Sequence, residues 1–227
     1  AGFSADALAR ARTIVQSFEQ FITQHKDEIT ALQVLYSKPY KQRLKFEDIK
    51  DLANAIPDTR SAVWAADSRT LFYVRLDENH RPLSVWRHVL GTDASADQLV
   101  YDEKDVGFYV GLGKTQSGRF ITIDVHDHQT TEVHIVDAEA PFAPIRMIAP
   151  RRFGHEYGVE HHGDRFIITT NSGGAEDFRI CTAPVSAADQ SNWTELIAHK
   201  PGRLILETVA FRDHLVRFER ENGLPQV

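Results

Sequence analysis

Three histidines and two glutamates crowd into "HEYGVEHH", residues 155–162. Those are the residue types that bind zinc and move protons. A zinc protease helix reads H-E-x-x-H, which sets two imidazoles one turn apart. After His155-Glu156 the second histidine is due at 159, and Val159 stands there. Tyr157, Val159 and His161 alternate as in a strand that ends in the turn His162-Gly163-Asp164. Adjacent residues His161 and His162 then face opposite ways and cannot share a metal. His126 and His128 in "HDH" could present two imidazoles on one face, but no third ligand accompanies them. Both clusters are read as strand-end and turn histidines, and no metal ligand is assigned.

The other chemical candidates fail on context. A serine nucleophile needs a G-x-S-x-G elbow between strand and helix. Ser172 in "TTNSGGAED" is the nearest imitation, with Thr170 in place of the first glycine and a strand-to-strand turn around it. No Ser–His–Asp triad is assigned. "GFYVGLGKT", 107–115, imitates a phosphate loop, but the pattern read back from Lys114 needs glycine where Phe108 stands. The segment also reads as a strand followed by the turn Gln116-Ser117-Gly118, whereas a phosphate loop opens a helix. Cys181 is the single cysteine. It excludes an intrachain disulfide, fits a reducing cytoplasm and reads as a buried inert thiol. Asn192-Trp193-Thr194 matches a glycosylation sequon by coincidence in such a chain. Lys38–Lys45 holds four basic residues beside Tyr36 and Tyr40, and reads as a solvated flank of a helix. No catalytic, cofactor-binding or metal-binding residue is therefore assigned, and no cofactor is expected.

The elements that would carry such residues change in kind near Pro57. Before it, Leu8, Ala11, Val15, Phe18 and Ile22 lie on one helix face. Ile29, Leu32 and Tyr36 make a second stripe, and Phe46 to Ile56 a third that Pro57 stops. After it, short alternating strands recur with polar turns between them. "DSRTLFYV" from 67, "SGRFITI" from 117, "GDRFIITT" from 163 and "RDHLVRF" from 212 repeat at intervals of roughly 46 to 50 residues. Phe72, Phe120, Phe166 and Val216 are matched in that alignment. "VWRHVLG", "EVHIVDA" and "DFRICTA" supply the next strand, and "DQLVYDE", "PIRMIAP" and "WTELIAH" the outer one. "FYVGLGKT", "EYGVEHHG" and "LILETVAF" begin each following unit.

Four strands per unit of that length define a β-propeller blade. The predicted fold is mainly β: a partial, truncated propeller of three to four four-stranded antiparallel blades over 58–227, preceded by a small α-helical segment over 1–57. A ring needs about four to eight blades, so a chain with three and part of a fourth is expected to be truncated.

Bulk properties narrow the partners. The chain is 42% apolar and 26% charged, which suits a soluble domain. No apolar run nears the ~18 residues of a membrane span, and the start lacks a signal-peptide h-region. Residues 1–56 hold eight Lys/Arg and seven Asp/Glu, which leaves 18 basic and 25 acidic residues beyond them. That acidic balance argues against nucleic acid and suits basic ligands.

Two resemblances follow from the quoted residues. "VWAADSRTLFYVRLDENHRPLSVWRHVLGTDASADQLVYDEKDVGFYVGLGKTQSGRFITI" with "PRRFGHEYGVEHHGDRFIITTN" resembles the oligopeptidase B branch of the prolyl oligopeptidase family, peptidase S9A, over 62–227. The resemblance implies a seven-bladed propeller that admits small peptides by size. It also implies a partner α/β-hydrolase domain that carries the triad and cleaves after Lys or Arg. On that reading this chain is an inactive fragment without the catalytic domain. "DEITALQVLYSKPYKQRL", within 17–56, resembles the C-terminal helical region of type I restriction enzyme R subunits. It implies docking to a methyltransferase core, and hence an alternative function in restriction assembly. A third reading is a generic interaction scaffold. Pro57–Ser61 matches neither family and is read as a seam in a chimera.

Overall fold

The computed structural model of the protein describes residues 59–226. The helices expected over 1–56, the basic run Lys38–Lys45 and the first two residues of the proposed junction at 57–61 lie outside them.

The described chain is a succession of antiparallel sheets, each built from consecutive strands. Blade I joins β1 (Thr59–Trp64), β2 (Thr70–Leu76), β3 (Pro82–Val89) and β4 (Gln98–Asp102). Blade II joins β5 (Tyr109–Lys114), β6 (Phe120–His126), β7 (Thr131–Asp137) and β8 (Arg146–Ala149). Blade III joins β9 (Tyr157–His162), β10 (Arg165–Thr170), β11 (Arg179–Pro184) and β12 (Thr194–Ile197). Blade IV has three strands, β13 (Arg203–Ala210), β14 (Leu215–Glu221) and β15 (Leu224–Gln226). This is the expected partial β-propeller.

Blades II and III bury both faces against their neighbours, so the cores lie between blades rather than inside them. Phe72, Val74 and Val85 of blade I meet Val110, Ile121, Ile123 and Val125 of blade II. The other face of blade II, with Phe120, Val133 and Ile135, meets Tyr157, Phe166, Ile168 and Cys181 of blade III. Ile167 and Ile180 on the far face of blade III meet Ile205 of blade IV. Alternate residues of one strand therefore serve different cores, and the central strands read as unbroken apolar runs. Beyond blade IV the pattern stops. Phe218 is 37% exposed, and Val216 beside it is half-buried.

The backbone corrects the alignment of the repeats. Trp64 pairs with Leu71, Lys114 with Ile121, His161 with Phe166 and Ala210 with Leu215 at the inner hairpins. Leu71, Ile121, Phe166 and Leu215 are thus equivalent, not the Phe72, Phe120, Phe166 and Val216 matched by sequence. The hairpin turns differ in length. Ala65 donates to the Thr70 carbonyl and Thr115 to that of Phe120, whereas His162 and Arg165 pair directly around Gly163-Asp164. A slip of one residue sends a side chain to the opposite face. Gly163, at φ +65°, holds the left-handed position that the two-residue turn requires. Asn222 and Gly223, at φ +52° and +77°, make the corresponding turn between β14 and β15.

Candidate functional site

The first strand of each blade, β1, β5, β9 and β13, is the inner one, and polar contacts join the inner hairpins from blade to blade. Lys114 Nζ donates to the Trp64 carbonyl at 2.9 Å. The amide of Gln116 donates to both oxygens of Glu160, at 2.9 and 3.1 Å. Ser117 Oγ lies 2.9 Å from His161 Nδ1. On the other side of blade III, His162 Nε2 donates to the Arg212 carbonyl at 3.1 Å, and Thr169 and Thr208 share a hydroxyl bond of 3.0 Å. The adjacent histidines 161 and 162 do face opposite neighbours, as a strand dictates. Each is a blade-to-blade fastener.

Between the inner strands of blades III and IV lies a groove of about 450 Å³, lined by Gly158, Ile167, Phe178 and Leu206 and by two carboxylates, Glu160 and Glu207. Burial pushes the Glu160 carboxyl up, against the pull of its two backbone donors, the amides of His161 and Gln116. Glu207 is exposed. The groove sets two carboxylates beside apolar side chains and the Thr169–Thr208 hydroxyl pair.

Two further clusters join distant segments and were invisible to sequence patterns. Arg151 Nη2 contacts Glu103 Oε2 at 2.5 Å and Glu132 Oε1 at 3.5 Å, and its guanidinium lies 4.2 Å from the Phe108 ring centroid. Tyr101 donates to Glu103 at 2.8 Å, and His134 Nε2 lies 2.9 Å from Glu132. Burial by itself would raise both carboxyls. The hydrogen bonds outweigh it: Arg151, Asp105 and Tyr101 hold Glu103 below the usual range, and His134 and Arg151 do so for Glu132. In blade I, Asp97 lies 2.6 Å from His88 Nδ1 and accepts from Tyr73 Oη at 2.7 Å. That dyad has the orienting half of a serine-hydrolase triad. No hydroxyl or thiol among the described residues hydrogen-bonds the other nitrogen of His88.

The remaining candidates fall where strands and turns put them. Ser172 lies in the turn after β10, and its Oγ accepts from Arg179 at 3.2 Å. Segment 109–114 is β5, followed by the turn at 115–119 rather than a helix. His126 ends β6. His155 is buried against Tyr157, with its Nε2 3.0 Å from Thr170 Oγ1. Cys181 is buried between blades, and burial pushes its thiol up. Among the described residues no three His, Cys, Asp or Glu converge as a metal site. No described helix is long and apolar enough to cross a membrane.

Consecutive four-stranded sheets packed face to face, with inner strands fastened hairpin to hairpin, define the class: a β-propeller wall. The comparisons with known proteins are specific. A profile for the prolyl oligopeptidase N-terminal β-propeller domain matches residues 38–227. The chain belongs to that family. It is 36% identical over 167 residues to Protease 2 of Moraxella lacunata, covering 74% of this chain and 24% of that protein. It is 37% identical over 187 residues to dipeptidyl aminopeptidase BI of Pseudoxanthomonas mexicana, covering 80% and 26%. Oligopeptidase B from Leishmania major superposes with a TM-score of 0.68 at 31% identity, over 73% of this chain and 23% of that one. The chain spans about a quarter of the length of these relatives.

No comparison supports the resemblance of residues 17–56 to restriction R subunits. The family match begins at residue 38 and runs across Pro57–Ser61, so the reading of those residues as a seam between two families loses its ground.

Proposed function

We propose that residues 58–227 form part of the wall of a peptide-admitting channel in an oligopeptidase B-like serine peptidase. In this reading an α/β-hydrolase domain outside these 227 residues carries the triad and cleaves small peptides after Lys or Arg. The propeller filters them by size. The observation that carries it is the unbroken fastening of inner strands across the blades, on a fold of this family, with no serine elbow among the described residues. The carboxylates Glu160 and Glu207 suit the passage of a basic side chain. The division into a helical segment, 1–57, and the propeller, 58–227, belongs to the same proposal. So does a cytoplasmic setting, which the lone buried Cys181 favours.

The test is an assay of the 227-residue chain with an Arg-containing fluorogenic peptide. No turnover is expected. Turnover abolished by a serine-directed inhibitor would show that the chain carries its own nucleophile and overturn the wall-only role.

A further inference from the structure

A second cleft, of about 540 Å³, opens between blades II and III, over the middle strands and up to the β9–β10 hairpin, where His161 joins its lining. Its floor is apolar: Phe120 and Ile135 from blade II and Val185 from blade III, with Pro144 on the rim. Four charges surround that floor. Two cancel, because Arg119 Nη2 pairs with Asp137 Oδ2 at 3.0 Å. The other two do not. Arg146, on β8, and Asp164, in the β9–β10 turn, line the same cleft from neighbouring blades. Neither side chain has a hydrogen bond or close ion pair with any described residue, although the charge of Arg146 helps to hold Asp137 down from farther off, and they do not pair with each other.

We propose that this cleft binds a short zwitterionic peptide with an apolar side chain. The ligand carboxylate meets Arg146, its ammonium meets Asp164, and its side chain covers Phe120, Ile135 and Val185. A simple anion would satisfy only Arg146, and a simple cation only Asp164. A long peptide cannot set both termini across one cleft. Two opposite charges held apart over an apolar floor therefore select a short ligand with both ends free, and charge-assisted hydrogen bonds supply the orientation. This site does not depend on the channel reading, because its test reads binding, not turnover.

The experiment is a calorimetric titration of the 227-residue chain with the dipeptide Leu-Leu, its N-acetyl form and its C-terminal amide. Saturable binding of Leu-Leu is expected, and each blocked form should bind more weakly. Asp164→Asn should weaken Leu-Leu by about threefold or more, as befits an exposed charge pair, yet leave N-acetyl-Leu-Leu unaffected. Arg146→Gln should weaken Leu-Leu similarly and leave the amide unaffected. Both positions are exposed, so the variants keep the fold. Absence of saturation up to about 10 mM, the limit of useful affinity for so small a ligand, overturns the proposal. So does Leu-Leu binding that neither substitution changes.

Discussion

Phe120 and Phe166 meet ring to ring across two blades, with centroids 4.9 Å apart at an interplanar angle of 58°. Both stand at or near the start of a second strand, yet Phe120 faces forward to blade III and Phe166 faces back to blade II. The contact exists because the two residues are not equivalent in the repeat. Tilted aromatic pairs of this kind add to ordinary area burial, and His161 joins them edge-on at 4.9 Å from Phe120.

Phe166→Ala should therefore be severe. The side chain is fully buried, and its removal leaves a cavity that strands on both sides cannot close, at a cost of about 3–5 kcal/mol. Phe218→Ala, on the uncovered face of blade IV, should cost under about 1 kcal/mol. Urea denaturation followed by far-UV circular dichroism checks both. Equal losses would mean that the blade II–III core is not the main one.

The propeller was legible because burial on both faces leaves long apolar runs between polar turns, and the runs recur. The register was not. Aligning phenylalanine with phenylalanine ignored the unequal hairpins at Thr115–Phe120 and His162–Arg165, and so put Phe120 and Phe166 on the same face. Asn222-Gly223 is a strong hairpin signal, and β15 follows from it. His161 and His162 were read correctly, since opposite facing follows from strand geometry alone. Arg151 with Glu103 and Glu132, and Asp97 with His88, join segments that only the blade stacking or the β3–β4 turn brings together. Nor could spacing reveal that Glu160 and Glu207 line one groove, because they lie on strands of different blades. The string "DEITALQVLYSKPYKQRL" suggested a second family on local likeness, which no comparison supports.

Tyr157→Phe should be costly although it removes one oxygen. Tyr157 Oη donates to the Ala149 carbonyl at 2.6 Å and accepts from the amides of Val133 at 2.7 Å and Ala149 at 3.1 Å. It fills the break in the β7–β8 ladder, where the register shifts between Val133 and His134. Loss of the hydroxyl leaves three buried backbone groups short of a partner, at about 2 kcal/mol or more. Hydrogen exchange should quicken at Val133 and Ala149 before it quickens elsewhere in blade II. Unchanged protection at those two amides would contradict the role.

Arg151→Met should destabilise the blade I–II junction by about 2–3 kcal/mol at neutral pH. The substitution strands two carboxylates, with side chains 5% and 9% exposed, and unpaired buried charge is expensive. The pH dependence carries a sign. Glu103 and Glu132 have depressed folded-state values, so their contribution is present above the unfolded carboxylate range and is lost as pH falls through the folded values. The difference between wild type and variant should therefore hold through neutral pH and shrink as pH falls below about 4.3 toward the folded values. A difference that grows on acidification would exclude the ion pairs as its source.

His155 adds a loss of the same sign, at higher pH. Its ring is stacked on Tyr157 and tilted to Trp193, its Nε2 contacts Thr170, and its Nδ1 is buried without a partner. Burial first, and the charge of Arg152 second, push its value down. The neutral ring is thus favoured in the folded state. Above the unfolded value of about 6.5 both states are neutral, and His155 contributes no pH dependence. Below it the unfolded chain takes up a proton that the folded chain refuses. Stability then falls by up to about 1.4 kcal/mol per pH unit until the folded value is reached. His161, also depressed by burial and by Arg119, adds to the slope. His155→Gln keeps a donor for Thr170 and cannot titrate. The variant should show a shallower loss of stability between about pH 6.5 and 5, read from urea midpoints across that range. A slope equal to that of the wild type would mean that the ring is not desolvated at the blade II–III seam.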